Sequence, residues 1–260
     1  MTGDQGPGTR DQRPRGTIQT FPVIDRPSSS LIMNVAIIAA AGQGARMAGK
    51  RPKQFLELAG TPILIHTLKA FERCDVIQEI IVVVAAEETD GFPALAEEHG
   101  LRKIAAVVSG GRSRAESVLH GLRVVDAGAT EIVAVHDGVR PFVTAEEISR
   151  TVAAAKSAGA AILVSTPVDT IKEVRAGAVA GTLDRSTIRN ALTPQCFHYK
   201  LLVRAYEQVD VSDPELTDES SLVERLGARV AIVEGSSRNI KITRVEDLAI
   251  GEVLLREVDL

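Results

Sequence analysis

The chain has 260 residues, 45% hydrophobic and 25% charged, with a net charge of −4. That balance excludes a disordered or collagen-like chain, and no run of 18 apolar residues offers a membrane-spanning helix. The acidic balance and the 3% aromatic content argue against nucleic acid as a partner, which calls for basic patches and stacking rings. Cys74 and Cys196 are far apart in sequence. They form neither a disulfide framework nor a zinc motif, and they suit a reducing, cytoplasmic location.

Residues 1–32 read as a disordered N-terminal tail. Met1 to Arg15 holds Gly, Pro, Gln, Asp, Thr and Arg and almost nothing apolar to bury. The stretch lacks the apolar core of a secretory signal, and Asp4, Asp11 and Asp25 argue against a transit peptide. Met33 stands directly before the first apolar strand. It is expected to open the folded domain, 33–260, either as the start of the chain proper or after a dispensable tail.

From there apolar runs alternate with helical spacing. Val35–Ala41, Glu79–Ala85, Ile104–Val108, Glu131–His136 and Ala160–Ser165 read as buried strands. Ile63–Cys74, Phe92–His99, Ser113–Val125 and Ala145–Ser157 read as helices. Ser113 with Glu116 three residues on is a capping-box signature. Buried strands alternating with helices predict an α/β fold with a mostly parallel twisted sheet covered on both faces. The rhythm breaks at Thr166–Ile188. There Val168, Ile171, Val174, Val179 and Leu183 surround Gly177 and Gly181, which predicts a β-hairpin arm. An arm with apolar faces and little core of its own is expected to pack on a second subunit. Helices at Tyr199–Val209, Glu219–Leu226 and Val245–Glu257 and a strand at Arg229–Val233 complete the reading.

The loop after the first strand, Ala39-Ala40-Ala41-Gly42-Gln43-Gly44-Ala45-Arg46-Met47, is made of small residues that let backbone approach a phosphate or a base closely. A dinucleotide fingerprint fails at Met47, where a third Gly or Ala belongs. A P-loop fails at Arg51, where a hydroxyl must meet Mg²⁺, and Arg51-Pro52 disfavours a helix start. What remains is a glycine-rich turn carrying Arg46, then Lys53. Two fixed cations beside a backbone cradle suit a triphosphate. The loop alone leaves open a plain surface turn with solvated charges.

Other segments carry weaker signals. Gly110-Gly111 precedes a helix at the sheet edge where open α/β folds bind ligands, but a tight turn alone accounts for it. His136-Asp137 ends a strand ahead of Arg140. Asp137 suits a ribose or Mg²⁺ contact or a carboxylate paired with Arg140, and His136 reads as structural. Thr217-Asp218 reads first as a helix N-cap. Lys241, flanked by Ile240 and Ile242, reads as a strand lysine facing away from them.

Five ordered segments together resemble one family. AIIAAAGQGARM…RPKQFLELAGTPILIHTL, SGGRSRAESVLHGL, VHDGVRPF, DRSTIRNALTPQCF and NIKITRVEDL look like the 2-C-methyl-D-erythritol 4-phosphate cytidylyltransferases, within the sugar-phosphate nucleotidyltransferases. The likeness runs from about Met33 to the C-terminus. One mild departure is Gly138-Val139, where the family more often has two alanines.

The resemblance implies a Rossmann-like nucleotidyltransferase fold with a dimerisation arm at about 166–188. It implies CTP and a polyol phosphate as partners, in isoprenoid precursor synthesis. It implies Mg²⁺, held mainly through the CTP phosphates, with no protein ligand assigned. Ala40, Ala41, Gly42, Gly44, Gly110, Gly111 and Ser117 would bind the nucleotide. Arg46 and Lys53 would stabilise charge at the α-phosphorus, and Arg185 and Lys241 would aim the attacking phosphate. Asp137, Arg140, Thr170, Thr193 and Thr217 would line the sugar-phosphate side. Ribitol 5-phosphate as substrate, and a binder without turnover, stay open at this point.

Overall fold

The structure is a computed structural model that describes residues 18–20, 32–42, 52–213 and 215–258. In chain order, Ile18–Thr20 is a short strand (β1) and Met33–Ala40 the first long one (β2). A 3-10 turn at Lys53–Phe55 leads to a ribbon of Glu57–Leu58 (β3) and Thr61–Pro62 (β4), then helix Ile63–Glu72 (α1). There follow Glu79–Val84 (β5), Phe92–Glu98 (α2), Ile104–Ser109 (β6), Arg114–Leu122 (α3), Thr130–Asp137 (β7), Ala145–Ala158 (α4) and Ala160–Ser165 (β8). Lys172–Arg175 (β9) and Ala178–Thr182 (β10) form a hairpin. Asn190–His198 (β11), Tyr199–Glu207 (α5), Glu219–Arg225 (α6), Ala231–Glu234 (β12) and Val245–Val258 (α7) complete the chain.

Eight strands form one sheet in the order β1-β6-β5-β2-β7-β11-β8-β12. The pairs β6–β5, β5–β2, β2–β7 and β8–β12 are parallel. Successive strand residues point to opposite faces, so β2 feeds two cores. Ala36, Ile38 and Ala40 pack with α1, α2 and α4, while Val35 and Ile37 pack with α3, α5 and α6. Burial on both faces is why these strands read as continuous apolar runs. A third cluster of Leu58, Ile63, Val139, Phe142 and Ile242 receives Leu248, Leu254 and Leu255 of α7.

The mostly parallel, doubly covered sheet matches expectation, and the observed hairpin, Lys172–Thr182, falls inside the stretch 166–188 read as an arm. Three readings need correction. Ile18–Thr20 lies inside the tail expected to be disordered, yet pairs antiparallel with β6, Ile18 opposite Val108 and Thr20 opposite Ala106. An open sheet edge offers unpaired backbone groups that even a polar segment can meet. The second correction is β11, Asn190–His198, a segment to which the sequence reading assigned no strand. It runs antiparallel between β7 and β8, and its register with β8 shifts between Ala191 and Gln195, around Pro194. Proline has no N–H to give a ladder, so the irregularity sits where it must. The third is the capping box. Ser113 accepts from the Glu116 N–H, but Glu116 Oε2 takes the Arg112 N–H instead of closing the box. The complete box caps α4, with Thr144 and Glu147.

Candidate active site

The parallel strands β2, β5, β6 and β7 all deliver their carboxyl ends to one edge of the sheet, the ligand edge of open α/β folds. A cleft of about 540 Å³ opens there. Its described lining is Ala39–Gly42 after β2, Lys53 and Gln54 of the 3-10 turn, Gly111–Arg114 and Ser117 at α3, Asp137 and Val139 after β7, and Lys241.

Close packing explains the small residues. The Gly110 N–H donates to Val84 O at 2.8 Å. A Cβ on Gly110 would collide with the Ala41 Cβ, and one on Gly111 with the Glu116 side chain. The Gly111 N–H donates to Ser117 Oγ at 3.0 Å, and that hydroxyl donates to Ser113 O at 2.8 Å. Ser117 therefore ties the glycine turn to the first turn of α3. Gly42 lines the cleft wall, and among the described residues nothing lies within 4 Å of where its Cβ would be. Buried Gln54 donates to Ala40 O at 2.6 Å. This bond pins the 3-10 turn to the end of β2 and sets Lys53 on the rim.

Asp137 is the electrostatic centre. Its Oδ1 accepts from Arg114 Nε at 3.0 Å; its Oδ2 lies 3.4 Å from Arg140 Nε and 2.9 Å from Lys241 Nζ. Burial opposes the charged carboxylate, but Arg114, Lys241 and Arg140 outweigh it and hold the group well below the usual carboxylate range. Arg114 also gives Nη1 to both oxygens of Glu219 at 2.7 Å. Burial alone would weaken its charge, yet Glu219 and Asp137 raise its pKa above the ordinary arginine value. Arg140 Nη1 donates to Asn239 O at 2.8 Å, and Asn239 Nδ2 donates to Thr193 O at 2.9 Å.

His136, read as structural, is fully buried, and burial pushes its pKa down to about 4. Its Nε2 faces Arg140 O at 3.2 Å, and a carbonyl can only accept, so Nε2 carries the proton. Nδ1 then accepts the Thr193 hydroxyl at 2.9 Å. Thr193 Oγ1 in turn accepts the Asp137 N–H at 3.2 Å. The one hydroxyl proton of Thr193, which is 4% exposed, is therefore spent on His136. Thr193 supports the backbone of Asp137 from behind.

The other expected residues divide. Ala40, Ala41, Gly42, Gly110, Gly111, Ser117, Lys53, Asp137, Arg140 and Lys241 come together in or against the cleft. Lys241 does so from irregular chain, not from a strand. Ile242 anchors it by donating its N–H to Val139 O at 2.9 Å and packing into the third cluster. Gly44 and Arg46 lie outside the described residues. Thr170 and Arg185 are exposed and do not line the cleft. Arg185 sits at a separate shallow depression with Val168, Ser186 and Arg189, its Nη1 donating to Val168 O at 2.6 Å. Thr217 is exposed and precedes Asp218, whose carboxylate caps α6 through the Ser221 N–H. Sequence reading missed Gln54, Arg114, Glu219 and Asn239. Arg114 had one local signal, its place at the first position of a helix after a glycine turn. The others are recognised only through partners distant in sequence.

Among the described residues, no group of three or more His, Cys, Asp or Glu could hold a metal ion. Asp137 is the one described carboxylate lining the cleft, and three cations share it. This donor set fits a hard cation that arrives on a triphosphate and takes at most one protein oxygen. No helix among the described residues is long and apolar enough to cross a membrane.

Comparison with known proteins identifies the family. Residues 34–257 match the sequence model of the family IspD, 2-C-methyl-D-erythritol 4-phosphate cytidylyltransferase. The chain is 44% identical over 223 residues to a protein of that name from Bacillus cytotoxicus, covering 86% of this chain and 98% of the relative. It is 44% identical over 225 residues to another from Syntrophus aciditrophicus, with 86% and 96% covered. Its fold superposes on a crystal structure of 4-diphosphocytidyl-2C-methyl-D-erythritol synthase from Anaerococcus prevotii. The TM-score is 0.77 at 33% identity, with 86% and 96% covered. The chain belongs to the 2-C-methyl-D-erythritol 4-phosphate cytidylyltransferase family.

Proposed function

We propose that this chain joins CTP to 2-C-methyl-D-erythritol 4-phosphate, giving the CDP-linked product and pyrophosphate. The observation that carries the reading is the cleft. Close-packed glycine and alanine turns line it together with Lys53, Arg114 and Lys241, the last two sharing the Asp137 carboxylate.

An oxygen of the sugar phosphate attacks the α-phosphorus of CTP, and the bond to the leaving pyrophosphate breaks. A phosphate monoester has its second pKa at about 6, so the nucleophile is already an anion and needs no general base. His136, buried, neutral and bonded on both nitrogens, fits that absence. The demand is for cations that bring two anions together and hold charge as the transition state forms. Lys53 supplies one at the nucleotide wall, and Arg46, earlier in the same loop of the sequence, supplies another. Lys241, held by Asp137, faces the incoming phosphate. A magnesium ion bound through the triphosphate would neutralise part of its charge.

Arg185 and Thr170 belong to the same chemistry if the arm crosses to a second copy. Val168, Val174 and Val179 are 81%, 61% and 65% exposed, so the arm lacks a core within its own chain. A homodimer in which each arm completes the partner's sugar-phosphate side supports both roles.

Pyrophosphate release with CTP and Mg²⁺, offering methylerythritol 4-phosphate and ribitol 5-phosphate in parallel, tests the reading. Turnover with the first substrate alone is expected. Turnover with ribitol 5-phosphate alone would keep the chemistry and overturn the substrate, and CTP binding without turnover would overturn catalysis.

A further inference from the structure

The contacts behind the cleft run deeper than Asp137. Glu219 opens α6, lies 105 residues from Arg114 in sequence, is 1% exposed and does not line the cleft. Both its oxygens take Arg114 Nη1, and Oε1 also accepts the Tyr206 hydroxyl at 3.2 Å. The start of α6 is itself fixed to β11. Gln195 accepts the Ser220 N–H at 3.0 Å and donates to Asp218 Oδ2 at 2.8 Å. Glu219 is thus a rigid anchor. A guanidinium is planar, so holding Nη1 also fixes where Nε points, and it points at Asp137 Oδ1.

That matters because Asp137 has two oxygens and three cations. Oδ1 goes to Arg114, which leaves Oδ2 for Arg140 and Lys241. Without a partner on Oδ1, the carboxylate is free to turn and take Lys241 more fully, drawing the ammonium away from an incoming anion. Net stability does not account for a buried ion pair, whose desolvation roughly cancels its attraction. We propose that Glu219 is a positioning residue for nucleotidyl transfer: acting through Arg114, it fixes the Asp137 carboxylate and so keeps Lys241 available to the attacking phosphate. The proposal rests on the transferase reading above.

A double-mutant cycle of Glu219→Gln and Arg114→Met tests it. Glu219→Gln keeps the shape and loses the charge, and melting temperature reports whether each variant folds. The expected result is a fall in kcat/KM of at least about 10-fold for each single variant, toward the ~100-fold that a misplaced group can cost. Adding Glu219→Gln to Arg114→Met is expected to cost nothing more. In ¹⁵N NMR, the Arg114 Nε–H should be protected from solvent exchange in the native chain and lose protection in Glu219→Gln. An additive double variant, or an Nε–H still protected in Glu219→Gln, overturns the proposal. A native chain that makes no pyrophosphate overturns the transferase reading instead, and the Nε–H signal still decides the positioning.

Discussion

The cleft and the arm both present cations at the carboxyl edge of the sheet, and they hold them in opposite ways. In the cleft, Arg114, Arg140 and Lys241 converge on one nearly buried carboxylate, and Glu219 braces Arg114 from below. In the arm, Arg185 donates to the backbone carbonyl of Val168, and Arg175 pairs with Glu173 in the open. The first set is organised before any ligand arrives. The second is exposed. The contrast separates two demands of the proposed reaction. A triphosphate needs fixed charges that require no rearrangement, whereas an arm that docks on another copy needs charges free to adapt.

The largest expected effect lies in the cleft. Asp137→Ala leaves three cations without their common anion and should cost about 3–5 kcal/mol in urea unfolding, the usual loss when one partner of a buried ionic set is removed. A cost near that of a surface ion pair would break the comparison. Next comes Lys53→Ala. It should retain the fold and lose at least about 100-fold in turnover, as when one transition-state donor is removed. A rate near that of the unaltered chain would take Lys53 out of the mechanism.

Arg185→Ala sharpens the contrast from the other side. Turnover should fall about 10-fold or more through weaker use of the sugar phosphate, with CTP affinity by calorimetry unchanged. If CTP affinity fell as well, arm and cleft would not be the separate halves described here. The smallest effect is Arg175→Ala. Its ion pair is exposed, and such pairs contribute about 0–1 kcal/mol, so a melting curve should barely move.

Much of the fold was legible, for a physical reason. Strands buried on both faces, such as Glu79–Val84 and Ala160–Ser165, must be apolar throughout, and such runs announce themselves. β11 hid because Asn190, Thr193 and Gln195 interrupt the apolar pattern and Pro194 signals a turn, although its flanks sit in the middle of the sheet. The glycine and alanine turns of the site were legible because close approach permits few other residues. The Arg114–Glu219 brace was not, since nothing near either residue marks a partner 105 positions away. The bond between Thr193 and His136, 57 positions apart, was hidden for the same reason.

The roots of the arm have a consequence of their own. β8 ends at Ser165 and β11 begins at Asn190, and these two residues are direct partners across an antiparallel ladder. The whole arm is therefore an insertion into what is otherwise a simple hairpin connection. Its length and outer surface can change without shifting a single pairing in the sheet, so the scaffold of the cleft does not depend on the arm, even where the arm supplies residues to the proposed reaction.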